Sequence, residues 1–167
     1  MKLIISEWKD TNSAGSHLAL DVVKERDSEK KQRFPKKQLT WYDNPKFILS
    51  FDSKERISEV EFSIKIARSE FIWSKKNSGG MVNSMIGIYL FQFENGEKWK
   101  NYLLNSNNIE FLPKNEIVYY YKFTKVDPRG FIIMPSTYGS GVTGPFSLLV
   151  KCKENFSVKE YNLDKDN

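Results

Sequence analysis

The stretch Gly130–Lys151, GFIIMPSTYGSGVTGPFSLLVK, decides the fold class. Phe131, Ile132, Ile133 and Met134 form a β-branched and aromatic run, and Pro135 is expected to stop its ladder because proline has no amide hydrogen to give. Gly139, Gly141 and Gly144 supply the positive φ angles that a reversal needs. Beyond them, Phe146, Leu148 and Val150 alternate with Ser147, Leu149 and Lys151, the spacing of a strand with one mostly buried face. The whole stretch therefore reads as a β-hairpin.

The same period continues outward from it. Ile117–Phe123 (IVYYYKF) is aromatic and β-branched, and Asp127, Pro128 and Gly130 are expected to turn it into the hairpin. Val60, Phe62, Ile64 and Ile66 alternate with Glu61, Ser63, Lys65 and Ala67, and Phe47, Leu49 and Phe51 alternate with Ile48 and Ser50. Met85–Phe93 (MIGIYLFQF) is nearly continuous in apolar residues and suits a sheet centre. The opening MKLIISEWKD reads as a first strand, since its apolar run is too short for a signal peptide core or a membrane span. A short strand is expected near Asn108–Leu112, and Phe156–Tyr161 adds a last one with Val158 and Tyr161 as its inward anchors. About eight strands without a convincing long helix predict an all-β, antiparallel sandwich. Repeats and heptads are absent.

Bulk properties agree with a single domain over 1–167, since a chain of 167 residues can bury about 70% of its unfolded surface. Its one cysteine, Cys152, excludes an internal disulfide framework and a multi-cysteine zinc site, which points to a reducing, cytoplasmic setting. The net charge of +5 is unevenly placed. Lys24, Arg26, Lys30, Lys31, Arg33, Lys36 and Lys37 crowd one segment against only Glu25, Asp27 and Glu29. Such a segment buries too little apolar surface to offset its ordering entropy, so a charged loop insert is expected near 18–40.

Three passages carry a family resemblance. Ile132, Ile133, Met134, Pro135, Ser136, Thr137 and Tyr138, followed by Gly144, Pro145, Phe146, Leu148 and Val150, resemble an aliphatic strand, a Pro-Ser-Thr-aromatic corner and a Gly-x-Phe strand. Trp41, Tyr42, Asn44, Pro45, Lys46 and Phe47 resemble an aromatic-x-x-Asn-Pro-x-aromatic lead into a strand. Trp8 with Ala14, Gly15 and Ser16 resembles a Trp-then-Ala-Gly-Gly opening. All three are similar to the C2-like β-sandwich, domain III, that follows the protease core in calpain-type cysteine proteases. The resemblance implies the same sandwich fold and a non-catalytic regulatory role. The implied partners are the protease domain of the same polypeptide, a tandem C2-like domain and an acidic membrane surface met peripherally. The alternative is a free-standing lipid- or protein-binding module of the same fold.

The residues themselves give little support to catalysis. Cys152 ends an alternating strand rather than sitting at a helix N-terminus that would favour its thiolate, and the single histidine, His17, lies in a loop. No catalytic or cofactor-binding residue is assigned. Calcium needs six to eight oxygens. The candidates are Asp52, Glu55 and Glu59 near one turn and Asp127 near another, with Lys54, Arg56, Lys125 and Arg129 interleaved. The acidic loop often found in the calpain family has no counterpart here, so calcium is only weakly supported and no metal ligand is assigned.

Cations offer the stronger expectation. If successive strands simply alternate in direction, the connections at 9–40, 69–83, 125–129 and 153–155 fall at one end of the sandwich. Lys30, Lys31, Arg33, Lys36, Lys37, Lys75, Lys76, Lys125 and Arg129 would then form a basic pole able to attract acidic lipid or an acidic protein face. A merely solvated surface is the competing reading. Nucleic acid is not expected as a partner, because alternation turns at least half of Tyr119, Tyr120, Tyr121 and Phe123 inward. The four tryptophans are expected to cover the core or plug its ends, each indole N–H reaching a carbonyl.

Overall fold

Alternation in the sequence becomes eight strands in the computed structural model, which describes residues 1–9, 43–68, 85–93, 110–139 and 141–161. They are β1 (Lys2–Trp8), β2 (Phe47–Phe51), β3 (Ile57–Arg68), β4 (Ile86–Gln92), β5 (Glu116–Val126), β6 (Phe131–Thr137), β7 (Gly144–Cys152) and β8 (Phe156–Glu160). Two four-stranded antiparallel sheets result, a first ordered β1-β7-β3-β5 and a second ordered β4-β6-β2-β8. No α-helix occurs among the described residues. The expected charged insert near 18–40 lies outside them, as do Trp41, Trp73 and Trp99.

Odd-numbered strands make one sheet and even-numbered strands the other, so each connection crosses between sheets. The hairpin expected over 130–151 is therefore an arch: β6 pairs with β4 and β2, whereas β7 pairs with β1 and β3. Its turn residues suit either geometry. What separates the strands is coverage, because β6 is buried at all its positions while β7 is buried at alternate ones. The Asp127–Gly130 connection crosses in the same way. Gly130 has φ 78°, and a Cβ there would lie 2.0 Å from the carbonyl oxygen of Leu49, so only glycine lets this arch press against β2.

Pro135 does not stop its strand either, for β6 continues through it to Thr137, with Pro135 opposite Ile88. In an antiparallel strand the N–H and C=O of one residue point to the same side. Ile86 spends both of its groups on Leu112, away from β6, and Ile88, two residues on, faces the same way. The Ile88–Pro135 pair is thus a non-hydrogen-bonded one, and no ladder donor is missed. The expected strand near 108–112 is represented in the described residues by this single Ile86–Leu112 bridge.

Between the sheets lies the main core, in which Phe47, Leu49 and Phe131 meet Phe62, Ile64, Ile66 and Leu148. A second cluster, Ile48, Tyr89, Phe91, Ile132 and Met134, occupies the far face of the second sheet, with Phe93, Phe111 and Tyr161 packed on it. This corrects two expectations. The MIGIYLFQF strand is an edge strand, not a central one, and its continuous apolar run reflects burial on both faces. In β8 it is Phe156 and Val158 that pack on the main core, while Tyr161 belongs to the outer cluster.

Direction of travel gives a further correction. β4 finishes beside the start of β6 (Gln92 opposite Phe131), yet β5 starts beside the end of β3 (Glu116 opposite Ala67). The chain between them returns the length of the sandwich, so β4 and β5 run the same way and simple alternation fails. Beyond that point each connection falls at the opposite end from the one expected.

Candidate functional site

The two outer faces differ. Apolar cover buries the second sheet's outer face along β4, β6 and Ile48 of β2 but not along β8, whereas the first sheet presents an open one. Across it the pairing sets rows: Leu3, Leu149, Lys65 and Val118 in one, Ile5, Ser147, Ala67 and Glu116 in the next, and Lys151, Ser63 and Tyr120 in a third. Leu3 is 62% exposed, Ile5 76%, Val118 41% and Tyr120 82%. Ser147, Ala67 and Ser63 are the small side chains of this face, and its exposed apolar residues sit on the two edge strands, β1 and β5.

Where β7 ends at Cys152, opposite Phe62, β3 and β5 run on, and the step leaves a depression of about 470 Å³ bordered by Tyr120, Lys122, Lys151, Cys152 and Lys153. Lys122 bonds both Glu59 and Glu61 at 3.1 Å, and these two carboxylates hold its ammonium above the ordinary lysine range. Burial pushes the Cys152 thiol up, which favours the protonated and less nucleophilic form. On β5, Tyr119, Tyr121 and Phe123 stack inward at 6.2–6.3 Å while Tyr120 faces out. Burial pushes the Tyr119 phenol up to about 12, and it donates to the Glu110 carbonyl at 3.0 Å.

At one end of the sandwich, segments remote in sequence meet. Trp8 is buried, donates its indole N–H to the Pro135 carbonyl at 3.3 Å and packs its ring 4.4 Å from Phe146. Asn44 donates to the Ser136 hydroxyl at 3.1 Å, and Phe47 meets Phe146 edge-on at 6.3 Å. Lys46, also buried, donates to the Asn44 carbonyl at 3.1 Å. Burial drives its pKa down to about 8, against a partial opposing pull from Asp43.

Of the nine basic residues expected at one pole, Lys30, Lys31, Arg33, Lys36, Lys37, Lys75 and Lys76 lie outside the described residues. Lys125 and Arg129 lie at the end of β5, beside the Ser53–Arg56 and Lys153–Asn155 connections. The residues that flank the undescribed segments 10–42 and 69–84, Lys9, Asp43, Arg68 and Met85, are at the other end. Thus Lys125 and Arg129 do not share an end with the strand termini that lead to the other seven. Arg129 is moreover committed locally, its guanidinium gripping both oxygens of Asp127 at 2.9 and 3.1 Å and lying 5.3 Å from the Phe93 ring centre. These hydrogen bonds hold the Asp127 carboxyl below its ordinary range.

The calcium candidates stay apart. Among the described residues no three His, Cys, Asp or Glu side chains come together as a metal-holding group. Glu59 is engaged by Lys122 and Asp127 by Arg129. His17 lies outside the described residues. No described helix is long and apolar enough to cross a membrane.

Sequence reasoning missed the open face of the first sheet, although its signal was present: Leu3 and Ile5 alternate with Ile4 and Ser6, so both faces of β1 carry apolar side chains. It also missed the burial of Lys46, for which a lysine between proline and phenylalanine gives no local cue. No protein-family model matches this chain, and no curated protein matches its sequence.

Proposed function

We propose that this chain is a non-catalytic interaction domain of the C2-like kind found after the protease core in calpain-type cysteine proteases, and that it acts by docking. The supporting observation is the convergence of the three resembling passages. Trp8 from one passage, Asn44 and Phe47 from a second, and Pro135, Ser136 and Phe146 from the third bond and pack together at one end of the sandwich, as parts of one domain's shared design would. The open outer face of the first sheet supplies a surface on which another folded domain can sit, with Leu3, Ile5, Val118 and Tyr120 as apolar contacts and lysines around them.

The gene around this segment offers the direct test. The proposal expects a Cys-His-Asn protease domain in the same reading frame, and no peptide hydrolysis by the purified 167-residue chain. A reading frame without a protease domain removes the calpain assignment and leaves a free-standing binding module. Peptidase activity in the purified chain, abolished by Cys152→Ser, overturns the non-catalytic reading altogether. The lipid version has its own measurement: co-sedimentation with phosphatidylserine vesicles at low salt, where absence of binding eliminates it.

A further inference from the structure

β1 is an edge strand, paired with β7 on one side in the first sheet. Natural edges are commonly blunted by proline, a bulge or an inward-pointing charge. β1 has no proline, its pairing with β7 runs unbroken from Lys2 to Trp8, its one charge on the inner side is the exposed Lys2 at its first position, and its outward Leu3 and Ile5 are among the most exposed apolar side chains of the described residues. Such an edge is a template for one more strand.

We infer that the added strand is β1 of a second copy of this chain, joined antiparallel about a two-fold axis through Ile4. The register follows from the side chains. In an antiparallel pair, directly opposed residues point to the same face, so a two-fold axis must pass through a residue rather than between two. An axis at Ile5 sets Leu3 opposite Glu7 twice, placing carboxylates against leucines. An axis at Leu3 opposes Lys2 to Ile4 twice on the inner face, setting ammonium groups against the isoleucines that pack on the core. The axis at Ile4 opposes Leu3 to Ile5 twice on the outer face and Ile4 to Ile4 on the inner one. Ile4 packs against the main core, so this contact continues the core across the interface. The outer face gains a four-residue aliphatic cluster at the seam, flanked by Leu149 of each copy. Self-complementarity of this kind is what an isologous interface requires. One strand edge with its apolar fringe covers less than a standard interface, so the dimer is weak, with a dissociation constant on the order of 100 μM.

Sedimentation equilibrium on the full chain, from about 5 μM to about 1 mM, reads the association directly. The expected result is a monomer–dimer equilibrium that Ile5→Lys weakens at least about tenfold, while Thr124→Lys, at an exposed position on the far strand of the sheet, leaves it unchanged. Because both sites are exposed, circular dichroism of the variants is expected to match the parent. The register has a separate readout: in a Cys152→Ser background, oxidation of a mixture of Leu3→Cys and Ile5→Cys chains is expected to give a covalent dimer that neither chain gives alone. A chain that stays monomeric throughout overturns the inference, as does association lost in Thr124→Lys but kept in Ile5→Lys. Cross-linking of the Ile5→Cys chain with itself overturns the axis at Ile4.

Discussion

The buried amine of Lys46 makes the stability of this fold depend on pH in a way that one substitution can isolate. Its folded pKa, about 8, lies below the ordinary value of 10.5, and burial is the main cause. Between those two values the unfolded chain binds the proton more tightly than the folded one, so stability rises with pH across that window. Integrating the difference for this one group gives a gain of about 1.3 kcal/mol between pH 7 and pH 9. The raised Cys152 thiol and the raised Tyr119 and Tyr121 phenols act in the opposite sense, since their folded forms keep the proton longer. Their contributions are common to parent and variant and cancel in a difference. Lys46→Met keeps most of the side-chain volume and removes the titration. Its absolute effect at one pH combines relief of desolvation with loss of the bond to the Asn44 carbonyl, each on the order of 1–3 kcal/mol, so the sign at pH 7 is not diagnostic. The change with pH is diagnostic. Urea unfolding followed by tryptophan fluorescence at pH 7, 8 and 9 is expected to show the parent gaining about 1.3 kcal/mol on Lys46→Met. Parallel profiles, within about 0.3 kcal/mol, would refute the burial of a charged amine at this end of the sandwich.

Three other outcomes check separate parts of the structure. Gly130→Ala puts a Cβ into the Leu49 carbonyl at a positive φ and is expected to cost at least about 2 kcal/mol in chemical denaturation, so a neutral result would mean the arch does not press on β2. Trp8→Phe loses the indole bond to Pro135 and part of the packing on Phe146, a cost of about 1–3 kcal/mol by the same assay. Neighbouring tyrosines test the facing of β5: Tyr120→Ser is expected to change stability by no more than about 0.5 kcal/mol and Tyr121→Ser by about 2–3 kcal/mol, and the reverse ranking would place the strand one residue out of register.

Strand positions were legible because they depend on local alternation, whereas pairing was not. Val60, Phe62, Ile64 and Ile66 announce an inward face whatever lies beside them, and the same holds for Phe146, Leu148 and Val150. Which strand lies beside which depends on the arches, and the residues of an arch, Asp127, Pro128 and Gly130, are also those of a tight turn. The polar end was legible only as separate fragments. Nothing in the residues around Asn44 announces Ser136, ninety-two positions away, as its partner.

The error in pairing carried a signal that the composition of the strands already held. Two neighbours in one sheet share the same cover on each face, so they should agree in how many faces are apolar. IGIYLFQ and FIIMPST are apolar on both, and they are β4 and β6 of the doubly covered sheet. ISEVEFSIKIAR, EIVYYYKFTKV and GPFSLLVKC alternate, and they are β3, β5 and β7 of the singly covered one. Sorting strands by the number of apolar faces would have separated β6 from β7 and replaced the hairpin with a crossing. Two edge strands depart from the rule: FSVKE of β8 alternates although it pairs with β2 of the doubly covered sheet, and β1 carries more apolar faces than its own sheet covers. KLIISEW carries Leu3 and Ile5 on the face where β3 and β7 carry serine, alanine and lysine beside the single Leu149. Two apolar faces on an edge strand with one covered side is an imbalance that the described residues do not resolve, and the antiparallel pairing inferred above would bury it at the seam.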